Sequence, residues 1–446
     1  MRLCILGGGG FRVPLIYRAL LADHAEGRVT HVTLHDLEAT RLAAIQRVLA
    51  QLAAGVPDAP VVDTTTDLDA ALTDADFVFV AIRVSGLHGR ALDEGLALQQ
   101  GVLGQETVGA GGVSYGLRTL PVADLIARRI AAVAPEAWVI NFTNPAGLVT
   151  EAMSAHLGDR VIGICDSPVG LGRRVAGALG IDPADATFDY AGLNHLGWLR
   201  AVRVDGQDLL PQLLSDADRL TSFEEGKLFG ADWLQALGAV PNEYLHYYYF
   251  NREAVAAARA AAETRGGFLL HQQGRFYAAV GAGDGSPLDV WDSTRLERET
   301  TYMAENREAV GAGERSPDDL ESGGYEQVAL ALMRAISHDD RATLILNVRN
   351  RGTLPHLDDE AVVEVPCVVG SDGARPLAVD PLPGYAVGLV CAVKAVEREV
   401  IEAASASSRA AALRALAIHP LVDSVAVAAR LLETFQENFP ELDYLR

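Results

Sequence analysis

The chain has 446 residues, 49% of them apolar, which is enough for a sizeable core and excludes a wholly disordered chain. Its 59 acidic and 37 basic side chains leave a formal charge of −22, so neither nucleic acid nor an anionic membrane surface is an expected partner. An anionic substrate would have to be held by a local cluster of arginines and backbone N–H groups. Cys4, Cys165, Cys367 and Cys391 are too scattered for a disulfide framework or a zinc-finger spacing, and they suit a reducing cytoplasm. No signal-type leader is read ahead of the first apolar run, and no run of about 18 uninterrupted apolar residues offers a membrane span.

Residues 2–7 form a short apolar run that ends in four glycines, and a helix is predicted over 13–22. A second apolar run, 29–34, leads to Asp36 and a helix over 38–53. Further strands are predicted at 61–65, 77–82, 138–141 and 160–164, separated by helices at 67–73, 119–134, 147–157 and 168–179. Strand and helix alternating in this way predict a doubly wound, Rossmann-type parallel sheet, an α/β fold over residues 1–187. The pattern then changes. Antiparallel strands are expected at 187–193 and 199–204, mostly helix over 208–265, and loop with short helix over 266–322. Strands return at 342–348 and 361–369, and Ala-rich helices follow at 384–404, 408–417 and 421–437. Residues 188–446 therefore read as an α+β domain with antiparallel strands and long helices.

Gly7, Gly8, Gly9 and Gly10 fall where the first strand turns into the first helix. Missing Cβ atoms let backbone approach a pyrophosphate, and a helix N-terminus supplies N–H donors. The spacing G-x-G-x-x-G is met at Gly7 and Gly9 but not at the third position, which is Arg12. Asp36 ends the second apolar run, where a carboxylate can accept hydrogen bonds from an adenosine ribose and would repel a phosphate; this favours NAD over NADP. A tight glycine turn and a helix N-cap are the plain structural alternatives.

Four further segments lie after predicted strands, at the sheet edge where such folds bind ligands. They are GVLGQETVGAGG (101–112) with Glu106, NFTNPAG (141–147) with Asn144, GICDSP (163–168), and GLNHLGW (192–198). The thiol of Cys165 and the imidazole of His195 suit a divalent metal; separately, each would be an ordinary buried side chain. PNEYLHYYYF (241–250) crowds four tyrosines, which could be aromatic packing or could include a phenol acting as a base beside a cation.

Taken together, these segments, with Pro14 and DADFVFVAIRVSG (74–86), resemble glycoside hydrolase family 4, the NAD- and metal-dependent glycosidases. The tyrosine-rich segment and PLPGYAVGLVCAVKAVE look most like the family's 6-phospho-β-glucosidases. The resemblance implies redox elimination: NAD⁺ takes hydride from carbon 3 of the sugar, a base removes the proton on carbon 2, Mn²⁺ or another divalent ion stabilises the enediolate, and the glycosidic oxygen leaves. Water then adds and the hydride returns. It further implies that Cys165 and His195 ligate the metal, that Asn144 meets sugar hydroxyls, and that Tyr244 is the base. Arg90 would hold the sugar phosphate, and either Glu106 or Asp166 would protonate the leaving oxygen. The implied substrate is a phosphorylated disaccharide or glucoside, and the implied assembly a homodimer or homotetramer. Asp166 is more familiar among α-acting members, and Ser322 stands where many phospho-β-glucosidases carry a basic residue, so an α-linked or unphosphorylated substrate stays open. A 2-hydroxy-acid dehydrogenase is the other alternative; it would leave the Cys–Asp pair and the tyrosines idle.

Overall fold

A computed structural model describes residues 1–309, 311 and 324–446. Six strands, β1 (Arg2–Leu6), β2 (His31–His35), β3 (Val61–Thr65), β4 (Phe77–Val80), β5 (Trp138–Asn141) and β6 (Val161–Gly163), run parallel in the order β3-β2-β1-β4-β5-β6. Strand order reverses between β1 and β4, and the crevice above that point is where doubly wound sheets take ligands. Both faces of the sheet are covered. In β1, Leu3 and Ile5 enter one apolar cluster while Cys4 and Leu6 enter the other, as the two-residue period of a strand requires.

The later strands do not form a sheet of their own. β7 (Thr187–Leu193), β8 (Leu196–Val204), β9 (Gln207–Asp208), β10 (Val240–Pro241), β11 (Ala342–Arg349), β12 (Val362–Gly370) and β13 (Gly373–Pro376) extend the parallel sheet in antiparallel sense. The seam is β11 against β6, with Asn347 opposite Gly163. An edge strand left unpaired would expose a row of N–H and C=O groups, and β11 covers it. Among the described residues all 13 strands make one sheet.

Most predicted elements stand within a few residues of their expected bounds. The largest correction concerns 266–322, read as loop with short helix, of which 310 and 312–322 lie outside the described residues. It contains long helices at Arg265–Ala282 and Pro287–Thr300 and a short one at Ala304–Ala309. The two long helices start on side-chain caps: Thr264 accepts from Gly267 N, and Ser286 accepts from Asp289 N ahead of a Pro at the first turn. A helix over Gly86–Gln99 was not expected, and the helix expected at 119–134 runs from Gly109 to Val133. Its opening glycines are not loop. A Cβ on Gly111 would stand 2.4 Å from the Gln105 carbonyl oxygen, and one on Gly112 would stand 2.5 Å from that of Thr107, so the helix start is packed directly under the preceding loop. Ser322 lies outside the described residues. Among the described residues no helix is long and apolar enough to cross a membrane.

Candidate active site

A cavity of about 1170 Å³ opens above the strand-order reversal. At one end is the glycine turn. Gly7 N and Gly8 N both donate to the His35 carbonyl, at 2.9 and 2.7 Å. Gly7 has φ +87°, and a Cβ there would sit 2.3 Å from Ala81 O. Gly10 N donates to Gly7 O, and Gly9 N donates to Asp36 Oδ2 at 3.0 Å. The carboxylate expected to meet a ribose therefore also braces the turn. Arg12, at the third-glycine position, is the residue before the helix Val13–Ala22. Its guanidinium lies over Tyr325 and Phe142, 4.7 and 5.5 Å from the ring centroids, and Nη2 reaches Asp166 Oδ2 at 3.5 Å. The aromatic bed takes the place of the close backbone packing that a third glycine would allow.

Cys165, His195, Asn144, Tyr244, Asp166, Glu106 and Arg90 all line this cavity. Cys165 follows β6. Asn194 and His195 form the two-residue turn between β7 and β8, and His195 holds a left-handed φ of +61°. Such a backbone is uncommon for a non-glycine residue and persists only where its surroundings fix it. Asn194 does part of that: its Oδ1 accepts from Ala146 N and its Nδ2 donates to Glu364 Oε1 at 3.1 Å. His195 Nδ1 is paired with Thr107 Oγ1 at 2.8 Å, which leaves Nε2 for a further partner. Burial pushes the His195 pKa down to about 3, so the ring is neutral at pH 7. Burial, with the Glu364 and Asp166 carboxylates, pushes the Cys165 thiol well above its usual range.

A buried sulfur among carboxylates and a neutral imidazole with one nitrogen already anchored suit a divalent cation. The cation would supply the missing positive charge, and Thr107 would fix the ring. Among the described residues no group of three or more His, Cys, Asp or Glu side chains is arranged to hold a metal, so a cation here would complete its shell with substrate and water oxygens. Tyr244 lies flat on His195, ring centroids 3.7 Å apart and planes 5° apart, and its oxygen accepts from Tyr302 OH at 3.2 Å. Burial, then the Glu243 carboxylate, hold the Tyr244 phenol well above its usual range.

The acid candidates differ in what they touch. Glu106 is clamped by Arg90 Nη1, at 2.5 Å, and by Arg83, one on each oxygen. Asp166 pairs with the Arg12 guanidinium, Nη2 on Oδ2 at 3.5 Å. Burial raises its pKa, and Arg12 opposes that. Arg90 is itself engaged, with Nε on Glu94 Oε1 at 2.8 Å.

The residue that sequence reasoning missed is Arg298, on the helix Pro287–Thr300. Among the described residues it pairs with Glu299, at 3.8 Å. Burial, then the nearby guanidiniums of Arg12, Arg265 and Arg90, push its pKa down to about 9. A cation so crowded by like charges on the wall of a cavity is stabilised by an anion. It is the local arginine cluster that the −22 charge demands of any anion site, and it escaped notice because its helix was read as loop. Glu364 and Glu243, both raised to about 7 mainly by burial, are further carboxyls near Cys165; Glu364 lies outside every quoted motif, and Glu243 stands inside PNEYLHYYYF, where the tyrosines drew the attention.

Fold and cavity define a dinucleotide-type α/β enzyme whose ligand pocket holds a thiol–imidazole pair and an arginine cluster. Residues 2–181 match the Family 4 glycosyl hydrolase and residues 190–422 the Family 4 glycosyl hydrolase C-terminal domain. A probable 6-phospho-beta-glucosidase of Bacillus subtilis is 33% identical, covering 98% of this chain and 96% of the relative. A 6-phospho-alpha-glucosidase of Lacticaseibacillus paracasei is 31% identical, covering 98% of both. Among solved structures, the 6-phospho-beta glucosidase of Thermotoga maritima with NAD and glucose-6-phosphate superposes with a TM-score of 0.83 at 27% identity, covering 99% of each chain. The same enzyme is also known with manganese. The chain belongs to family 4 of the glycosyl hydrolases and is a glycosidase.

Proposed function

We propose that this glycosidase hydrolyses 6-phospho-β-glucosides by redox elimination, using NAD⁺ and Mn²⁺ or another divalent ion. The observation that carries the phosphate requirement is Arg298, a crowded cation on the wall of the cavity that also holds Cys165 and His195. When bound, NAD⁺ supplies a reversible hydride acceptor for carbon 3 and the divalent ion a Lewis acid for the neighbouring sugar oxygens. Residues 1–187 provide the dinucleotide seat, with Gly7 to Gly10 receiving the pyrophosphate and Asp36 the ribose. Residues 188–446 provide His195, Tyr244 and Arg298. Cys165 and His195 would hold the ion, and Asn144 would meet the sugar hydroxyls beside it. Tyr244 takes the carbon 2 proton as its phenolate, a form that a cation held beside His195 would favour against the burial that otherwise keeps the phenol protonated. Asp166 is better supported than Glu106 as donor to the leaving oxygen, because Glu106 spends both oxygens on arginines. Arg298, joined by Arg90, holds the phosphate.

A second substrate reading, the α-linked 6-phosphoglucoside, is favoured by Asp166 and by the α-acting relative. We further infer a cytoplasmic homodimer or homotetramer, supported by the four free cysteines and by the exposed Trp233 and Tyr385. The test is a panel of chromogenic glucosides that crosses α with β linkage and phosphorylated with free sugar, each run with and without NAD⁺ and with EDTA. The expected result is turnover of the 6-phospho-β-glucoside alone, lost on removing NAD⁺ or metal. Undiminished turnover in EDTA would contradict the mechanism, and preference for free sugars would contradict the role of Arg298.

A further inference from the structure

We infer that Tyr302 is a positioning residue that orients the hydroxyl of Tyr244 toward carbon 2 of the sugar. The inference rests on the assignment of Tyr244 as base made above and adds to it a residue outside every recognised motif. Tyr302 follows the helix Pro287–Thr300 and lines the cavity, 58 positions along the chain from Tyr244. Its hydroxyl donates to the Tyr244 oxygen at 3.2 Å.

The need for such a partner follows from the packing. The Tyr244 ring cannot pivot, because it is stacked 3.7 Å from His195 and its main chain is tied down by Tyr244 N donating to Asn242 Oδ1 at 3.0 Å. The phenolate oxygen within that fixed ring can still accept hydrogen bonds from several directions. When Tyr244 acts as base it is the phenolate; a hydrogen bond donated from one side occupies one of its lone pairs and leaves another turned toward the open side, here the cavity, to receive the carbon 2 proton. Proton transfer depends steeply on the donor–acceptor line, so fixing that line raises the rate of the transfer without changing how substrate binds.

The test is Tyr302→Phe, which keeps the ring and removes only the donor, assayed with substrates deuterated at carbon 2 or at carbon 3. The expected result is a kcat lower by about tenfold, with KM and NAD⁺ affinity within about twofold of the wild type. The isotope effect at carbon 2 should rise and that at carbon 3 should fall, because proton abstraction becomes the slower step. A purely structural role would lower kcat or the melting temperature with both isotope effects unchanged, and that result would overturn the inference, as would an unchanged kcat. The two levels of the argument separate in heavy water. A wild-type product without deuterium at carbon 2 would overturn the base assignment itself. Label in the wild type, with unaltered isotope effects in Tyr302→Phe, would overturn the role of Tyr302 alone.

Discussion

Replacing Arg298 with methionine should make the protein slightly more stable and much weaker toward phosphorylated sugar. The drop in the Arg298 pKa from its ordinary 12.5 to about 9 corresponds to about 5 kcal/mol of burial and like-charge cost. With 18% of the side chain still open to solvent and Glu299 nearby, about 1–2 kcal/mol of that should be recovered when the charge is removed and the volume kept. In a chain of this length that is a rise in melting temperature of about 1–2 °C. The phosphate loses a charge-assisted hydrogen bond of about 1.5–3 kcal/mol, a weakening of about tenfold to hundredfold. Calorimetric titration with glucose 6-phosphate and, separately, with NAD⁺ reads the second effect, since both ligands carry phosphate but only one should meet Arg298. Equal losses for the two ligands, or a melting temperature several degrees lower, would show that Arg298 supports the fold rather than the substrate.

Four other outcomes follow from the structure. Cys165→Ser should abolish turnover and leave NAD⁺ affinity within about twofold, as read by fluorescence titration, because the hydroxyl is a far poorer ligand for a divalent ion. Thr107→Val should lower metal affinity about tenfold by freeing the His195 ring, with the nucleotide site untouched; a metal titration of activity checks this. Gly7→Ala should cost about 2–4 kcal/mol and remove dinucleotide binding, because its Cβ would meet the Ala81 carbonyl at 2.3 Å. Gly55→Ala also sits at positive φ, but nothing lies within 4 Å of the added Cβ, so its loss should be only about 1 kcal/mol by thermal denaturation.

The parallel half of the fold was legible because each strand is a short apolar run closed by a turn and followed by a helix with its own period. The loops after β5 and β6, and the turn between β7 and β8, were legible because their chemistry-bearing residues stand at strand ends, and Asn144, Cys165 and His195 line one cavity. The Arg265–Ala282 helix was hidden by its glycines, two of which need no loop geometry: nothing lies within 4 Å of a Cβ on Gly274 or Gly281. With that helix and its neighbour read as loop, Arg298 and Tyr302 had no defined direction and could not be placed in the site. The joining of β11 to β6 was equally out of reach, because a pairing between Asn347 and Gly163 leaves no local signal in either segment. Glu106 shows what a motif leaves out. It was picked out as a lone carboxylate in a glycine-rich loop, whereas its arginine partners, Arg83 and Arg90, arrive from β4's following loop and from the unexpected helix Gly86–Gln99.

The account turns on a carbon–hydrogen bond that ordinary two-carboxylate hydrolysis never breaks. Turnover of a 6-phospho-β-glucoside in heavy water with NAD⁺ and Mn²⁺, followed by proton NMR of the released sugar, should show deuterium at carbon 2 of every product molecule and no net NADH. A product that keeps its carbon 2 hydrogen would mean that Tyr244, Cys165 and His195 serve some other chemistry.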